Sequence, residues 1–559
     1  MNRLNQDQEL ACLRPCDMTL VAKDGNQFQV HRNVLLQASP FFEKLLSSDM
    51  KESNEGVIRL ATITDSQMAN ILKFIYNGSV QFTSQENAEK LIETADFLLL
   101  SNLKTMAGEF LEQHMTTETC ISMNYLAERY SCQELVMSTR KFINSNFTTV
   151  AASKEFLSLP SYEVEKWISS DEIVIDAEEN VFEIILRWIA HDKSERSGIF
   201  SELFTHVRLT CVSRDYLLSH VVSNDLVKEN TDSLDSVTGA LEWLDRPTDS
   251  RPHLPRKALT INVIVISDSY GELQQCIYLP AADEWYHFPL TESQFRLGGD
   301  MFFATVSCGG KVFSFNNRTG SACYDLDSNH WSPLSWTINL SLSKTEPKAL
   351  VVKNKICLFI NEEFPSIALW IYSVDSNSLT RLSNWTDRDC FCAVAVDSYI
   401  YVLGGTFSRP WWSRREALSE CARFNTEKNE WQKITPLNEA RLKAFGVCKN
   451  EKIYIAGGLW STTCEVYSIL TNEWQFIASS ARMVESMVLV DETLYVLTRE
   501  GDQLGHKVEC YNHENNEWNV KATVPVNKLS NKVPLFLKCC SLRVFKGVLN
   551  NLESLDESD

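Results

Sequence analysis

The chain predicts a multidomain protein: a mixed α/β domain, then an all-α segment, then an all-β six-bladed propeller. Three observations carry this reading. A strand–turn–strand pattern followed by helical periodicity opens the chain. Apolar stripes at three- and four-residue spacing fill the next segment. A β-rich unit then recurs six times. At 559 residues the chain exceeds one ordinary core. The expected divisions are a polar lead at 1–16, the α/β domain at 17–115, the helical domain at 116–229, a linker at 230–257, the propeller at 258–545 and an acidic tail at 546–559.

Charge divides unevenly. Residues 1–255 hold 23 Lys/Arg and 38 Asp/Glu, or −15; residues 256–545 hold 29 and 31, or −2; the tail adds −3, for −20 in all. The acidic first half argues against non-specific nucleic-acid binding, which needs a basic footprint. It permits a basic protein partner, or serves solubility alone. No apolar run is long enough to span a bilayer, and Asp7 and Glu9 interrupt any leader-like stretch, so a soluble, cytoplasmic protein without membrane contact is expected. The 17 Cys include no Cys-x-x-Cys and no zinc spacing with His partners. They read as reduced, mostly buried thiols, with a redox-sensing role as the sharper alternative.

In the first domain, Thr19 to Ala22 alternates as a strand, Asp24-Gly25 is a hairpin turn, and Phe28 to Val30 returns. Ser39-Pro40 predicts a helix start, with Ser at the cap and Pro at the first helical position. Val57 to Leu60 reads as a third strand. Met68, Ile71, Leu72 and Ile75 form one apolar helical face, and Leu91, Ala95, Leu98 and Leu99 another. The second domain is helical throughout, with stripes such as Val181, Phe182, Ile184, Ile185, Trp188 and Ile189 serving as core. Pro247, Pro252 and Pro255 mark the linker.

The repeat is clearest from Lys452 to Trp474, where a strand ends in Gly457-Gly458 and a second ends near Tyr467, seven residues before Trp474. The same pair of markers recurs as Tyr278 and Trp285, Tyr324 and Trp331, Tyr372 and Leu379, Phe424 and Trp431, and Tyr511 and Trp518. A period of this length with several strands per unit means propeller blades, which stack in a ring because one blade cannot bury both its faces. Gly404-Gly405 and Gly457-Gly458 supply positive φ where a strand leaves the ring. Asn316-Asn317, Ile360-Asn361 and Thr498-Arg499 take the equivalent places, and Gly309-Gly310 reads as a hairpin turn. The first copy lacks a preceding strand, so the apolar run Leu535 to Val544 is expected to complete that blade and close the ring.

Cys16-Asp17-Met18, Phe28-x-Val30-His31-Arg32, Ser39-Pro40-Phe41-Phe42, Met50-x-Glu52-Ser53, Phe74-Ile75-Tyr76-x-Gly78 and Ala95-x-x-Leu98 resemble a BTB (POZ) domain over about residues 12–115. The family's frequent Cys is absent, with Lys104 to Gly108 in its place. Phe147 to Val150, Glu179 to Phe182, Arg187-Trp188-Ile189, Val207-Arg208-Leu209 and Tyr216-Leu217 are similar to a BACK domain. The blades resemble kelch repeats, two well preserved and four degenerate. Together the chain resembles the kelch-like family. That resemblance implies a BTB homodimer and a substrate adaptor of cullin-3 ubiquitin ligases, cytoplasmic with nuclear or cytoskeletal association open.

On the same resemblance, Met50, Lys51 and Glu52 stand where the family's cullin-docking motif lies; an exposed Met fills an apolar pocket and Glu accepts a charged hydrogen bond. The helices around Cys120 to Leu135 are expected to extend that groove. Arg296, Arg388, Arg441 and Arg482 each precede a blade's first strand. They either read an acidic substrate segment or bond the scaffold. Arg409, Trp411, Trp412 and Arg414, in the longest repeat, have the composition of an interface hot spot. No nucleophile elbow, phosphate loop, metal helix or zinc pattern is present, so neither an enzyme nor a cofactor is expected. The competing reading is a dimeric actin-binding scaffold without ubiquitin chemistry.

Overall fold

The computed structural model describes residues 15–47, 56–246, 251–268, 276–287, 303–316, 320–326, 330–334, 348–363, 366–374, 376–385, 388–407, 416–459, 461–499, 505–525, 537–549, 552 and 554–555. Two compact units result: Met1–Val237 with Arg256–Ala258, and Thr238–Pro255 with Leu259–Asp559.

The first unit opens on a three-stranded sheet of β1 (Met18–Ala22), β2 (Gln27–Val30) and β3 (Val57–Leu60), in order β2-β1-β3. β1 pairs antiparallel with β2 and parallel with β3. The Asp24-Gly25 turn forms as expected, with Gly25 at φ 92°. Helix α1 (Arg32–Ala38) follows, and α2 (Pro40–Ser47) starts where the sequence places it: the Ser39 hydroxyl accepts from Phe41 N at 3.1 Å. Helix α3 (Asp65–Asn77) begins with a Thr64/Gln67 capping box and ends at Gly78, φ 67°. Helices α4 (Gln85–Phe97) and α5 (Ser101–Gln113) complete this part. Leu20, Leu35, Phe42, Met68, Ile71 and Leu91 are fully enclosed in its core. The spaced motif residues lock one another. Asp17 Oδ1 accepts from Arg32 N at 2.8 Å, Arg32 Nη2 donates to Leu46 O at 2.7 Å, and His31 N donates to the Tyr76 hydroxyl at 2.9 Å.

The helical segment begins with a pair, α6 (Cys120–Arg129) and α7 (Gln133–Ser145). In it, buried Thr139 donates to Asn124 at 3.0 Å. Helix α8 (Ser161–Ile168) and the strongly apolar α9 (Glu179–His191) follow. Trp188 Nε1 donates to Leu159 O at 3.0 Å, and Arg196 lies 4.1 Å over the Trp188 ring.

The expectation of a linker over 230–257 needs correction at both ends. Thr231–Asp245 is a helix, α10, capped by Asn230, whose side chain accepts from Ser233 N at 2.8 Å. Its apolar positions Leu234, Val237, Leu241 and Leu244 keep helical spacing, and the prolines begin only at Pro247. At the other end Arg256 is fully buried. It grips Glu178 with Nε and Nη2, both at 2.9 Å, and donates to Ser170 O and His206 O.

Among its described residues the second unit holds six four-stranded antiparallel sheets. Each aromatic marker sits directly across the outer hairpin from the residue seven later: Tyr278 from Trp285, Tyr324 from Trp331, Tyr372 from Leu379, Phe424 from Trp431, Tyr467 from Trp474 and Tyr511 from Trp518. The seven-residue spacing is therefore hairpin register. Two residues before the last position, Asp283, Asn377, Asn429, Asn472 and Asn516 adopt positive φ. In four of these five the side chain also accepts a hydrogen bond from the Tyr hydroxyl, as at Tyr467–Asn472, 2.7 Å, and Tyr511–Asn516, 2.7 Å.

Leu537–Phe545 pairs along its whole length with Thr260–Asp268, so the C-terminal strand completes the first blade as expected. The first strands of successive blades touch in a closed series: Leu537–Phe545, Phe303–Cys308, Lys348–Val352, Cys392–Val396, Phe445–Lys449, Met483–Val490, and back to Leu537–Phe545. Six apolar clusters, one between each neighbouring pair of blades, form the ring's core. Gly309 and Gly310, at φ 57° and 77°, make the expected hairpin turn.

Candidate functional site

The diglycines and the arginines before each first strand form one construction. Gly404, Gly405, Gly457 and Gly458 all take positive φ. A Cβ on Gly404 would stand 2.7 Å from Arg441 O, and one on Gly457 2.8 Å from Val484 Cβ. The turn they make presents carbonyls to the arginine of the same blade. Arg388 Nη1 donates to Gly404 O at 3.4 Å and Glu420 O at 3.0 Å. Arg441 Nη1 donates to the equivalent pair, Gly457 O and Thr463 O, both at 2.7 Å.

A glutamate of the same blade closes each arrangement. Arg388 Nη2 lies 2.8 Å from Glu420 Oε2, Arg441 Nη2 2.9 Å from Glu465 Oε1, and Arg482 Nη1 2.9 Å from Glu509 Oε1. Glu465 and Glu509 are enclosed, two residues before the blade-end Tyr. Sequence reasoning missed these acids, although an acid on an otherwise apolar strand is a signal that a buried cation faces it. Arg441 is also enclosed, with Nε, Nη1 and Nη2 all donating within the blade. Its guanidinium is spent on the scaffold, which corrects the expectation that Arg441 reads a partner. Arg388 is close to that state, and burial lowers its pKa despite Glu420. Arg482 keeps 23 % of its side chain exposed.

Arg296, Arg409, Trp411, Trp412 and Arg414 lie outside the described residues. The insertion that holds the last four leaves blade 4 through Thr406–Phe407, which pairs with Arg388–Asp389. Phe407, the last described residue before that segment, is thus held across from the anchored Arg388.

Met50, Lys51 and Glu52 also lie outside the described residues, following α2. In the same unit a cleft of ≈ 280 Å³ opens between α5 and the start of α7. Lys104, Gly108, Glu112, Cys132, Gln133 and Leu135 are among its walls. Lys104 is tied to Asp96 at 2.6 Å, which fixes one side.

Every described cysteine is a free thiol. Burial pushes Cys276, Cys323, Cys357, Cys392, Cys421 and Cys539 up to about 12, so these thiols stay protonated and inert near neutrality. Among the described residues no group of three His, Cys, Asp or Glu side chains is placed to hold a metal. No described helix is long and apolar enough to cross a membrane.

Three domain families match the chain: the BTB/POZ domain over residues 6–115, the BTB And C-terminal Kelch (BACK) domain over 120–222, and the Kelch motif over 387–438. The chain is 25% identical over 526 residues to Kelch-like protein 21 of Danio rerio, covering 82% of each. It is 29% identical over 465 residues to Kelch-like protein 11 of Mus musculus, covering 76% of this chain and 63% of that one. It is 32% identical over 236 residues to Kelch-like protein 2 of Homo sapiens, covering 42% and 40%. The alignments thus span less than two thirds of the latter two relatives. The matched blade contains both Gly404-Gly405 and the Arg388 anchor, the features that define the repeat here. With a BTB sheet, a BACK helical array and a closed ring of blades in that order, the chain belongs to the BTB-BACK-kelch family.

Proposed function

We propose that this chain is the substrate-recognition adaptor of a cullin-3 ubiquitin ligase. Its BTB domain homodimerises and docks the cullin, and its propeller holds the protein to be ubiquitinated. The observation that carries this is the joining, on one chain, of a BTB–BACK unit with an open α5/α7 cleft to a closed propeller whose longest repeat carries Arg409, Trp411, Trp412 and Arg414 in its sequence. Met50 and Glu52 supply the docking contacts, with Lys51 between them, and the cleft receives an extended part of the cullin. Substrate recognition falls to Arg409, Trp411, Trp412 and Arg414, with Arg296 and Arg482 also contributing. The chain contributes binding, not catalysis, and works in the cytoplasm without a cofactor.

One pulldown tests the docking half. Purified cullin-3 should be captured by the full chain and lost in Met50→Ala/Glu52→Ala, with the melting temperature unchanged. Capture of actin filaments with no affinity for cullin-3 would replace this reading with the scaffold. For the recognition half, proximity labelling under proteasome inhibition should enrich proteins that disappear in an Arg409→Ala/Trp411→Ala/Trp412→Ala variant.

A further inference from the structure

The outermost strand of a blade has one edge with no neighbour in its sheet, and in blade 1 that edge is covered. The sheet of the first blade ends at strand Glu284–His287. Across its open side the acidic tail returns. Ser554 stands opposite Tyr286 in an antiparallel bridge, and Leu555 N donates to Trp285 O at 2.8 Å. Among the described residues no other blade has its outer strand bridged in this way. Covering an edge with a segment of the same chain keeps that edge from pairing elsewhere.

Two leucines flank the bridge. Leu552, whose N–H donates to Leu549 O at 3.1 Å, packs against the apolar cluster that holds Val263, Leu279 and Leu549. Leu555 packs against the next cluster, with Tyr278, Trp285 and Leu537. The segment therefore straddles blade 1, with one leucine on the cluster at each side. Both leucines are half-buried, and Ser554 between them is exposed. One bridge and two half-buried side chains make a weak attachment, of the kind that opens locally while the fold stays intact.

Charge makes this attachment sensitive. Glu284 lies two residues before Tyr286, so both side chains share a face of the strand, and the Tyr286 hydroxyl donates to Glu284 Oε2 at 2.6 Å. Ser554 faces Tyr286, and diagonal neighbours of such a pair stand about 7–8 Å apart, which brings Ser554 near Glu284. In sequence Ser554 is set among Glu553, Asp556, Glu557 and Asp559. A phosphoryl group adds about −1.5 to −2 charges at neutral pH, and beside carboxylates that charge repels.

We infer that Ser554 is a phosphorylation site of an acid-directed serine kinase, and that phosphorylation releases segment 552–555 from blade 1 and bares the edge of Glu284–His287. Asp556 and Glu557, two and three residues after the serine, suit a kinase whose substrate groove is basic. In the step, Ser554 Oγ bonds to the γ-phosphorus of ATP and the bond from that phosphorus to the β,γ-bridging oxygen breaks. The hydroxyl proton passes to the kinase's base, and phosphoserine and ADP result. The kinase takes the segment in its open state, and the added charge then prevents its return. Neither cullin docking nor substrate capture enters this inference, so it stands apart from the adaptor reading.

The test incubates the full chain with ATP and a purified casein kinase, which favours acids after the serine, and maps the product by mass spectrometry. Phosphate should appear on Ser554 and be lost from that site in Ser554→Ala. Hydrogen exchange then reads the release. Protection of the Leu555 N–H, measured against a free peptide of residues 548–559 in the same phosphorylation state, should fall about tenfold or more. The Ser554→Ala chain should keep that protection after the same treatment, and Leu552→Asp should lose it without phosphate. Strand Leu537–Phe545 should stay protected throughout, which separates release from unfolding. No phosphate on Ser554, a phosphoserine that leaves Leu555 protection unchanged or raises it, a Leu555 N–H as unprotected as the free peptide before treatment, or loss of protection across Leu537–Phe545 would each overturn the inference.

Discussion

At Gly404 the backbone and its surroundings both forbid a side chain. Its φ is 62°, and a Cβ would meet Arg441 O at 2.7 Å and Leu418 O at 3.1 Å, both backbone atoms that cannot swing aside. Gly310 also has positive φ, 77°, yet a Cβ there would meet nothing within 4 Å. Gly310→Ala should therefore cost only the left-handed penalty, about 1–2 kcal/mol, whereas Gly404→Ala should cost clearly more, because the ring must also shift. Urea denaturation of the two variants compares them, and equal losses would show that backbone conformation alone sets the cost. A second residue-scale case is Arg256 with Glu178, both wholly enclosed. Arg256→Ala leaves a buried carboxylate and should lose about 3–5 kcal/mol. Arg256→Met/Glu178→Met should recover most of that loss, since burying the pair already costs its hydration. If the double variant is as weak as the single one, packing rather than charge holds this joint.

At the scale of elements, the outer hairpin is the unit of repetition. Its register brings residue i against i+7, its turn needs a left-handed Asn or Asp, and its Trp reaches back to the preceding blade: Trp474 Nε1 donates to Thr435 O at 3.0 Å and Trp518 Nε1 to Ala478 O at 2.9 Å. That is why blade ends were legible in the sequence even where the diglycine is lost. The pairing of an aromatic residue with Trp is a short-range geometric demand, repeated in every copy but the third. The arginine anchors were legible as positions but not as roles, because their acceptors are carbonyls and a glutamate brought close only by the sheet. Helix α10 was hidden by the prolines that follow it, and the Arg256–Glu178 pair by the 78-position separation of its members. The closing strand was legible, since one blade lacked a strand and the chain ended with a spare one. Removing residues 533–559 should therefore unfold the propeller cooperatively: Leu537–Phe545 supplies a full nine-residue register to Thr260–Asp268 and part of the core of two inter-blade clusters. An unchanged calorimetric melt would contradict that.

For the molecule as a whole, the distribution of thiols sets a pH limit on stability. Cys276, Cys323, Cys357, Cys392, Cys421 and Cys539 are spread through the ring, and burial raises each from an ordinary 9.0 to about 12. Burial raises Tyr324 in the same direction, and burial with the Asp283 hydrogen bond raises Tyr278. In the folded chain these groups keep their protons where the unfolded chain gives them up. Below about pH 9 both states are protonated and the contribution is fully present. Between pH 9 and 12 the unfolded state binds fewer protons, so unfolding becomes easier as pH rises, and the effect accumulates over sites in four of the six blades. The urea midpoint should accordingly hold steady from neutrality to about pH 9 and fall steeply above it. Thiol labelling checks the same geometry from the other side: exposed Cys16 should react with a maleimide at once at neutral pH, and buried Cys276, Cys323, Cys357, Cys392 and Cys421 only with the kinetics of unfolding. A midpoint that stays level to about pH 11, or rapid labelling of the propeller cysteines in the native chain, would mean that the blades do not exclude water as tightly as their six apolar interfaces require.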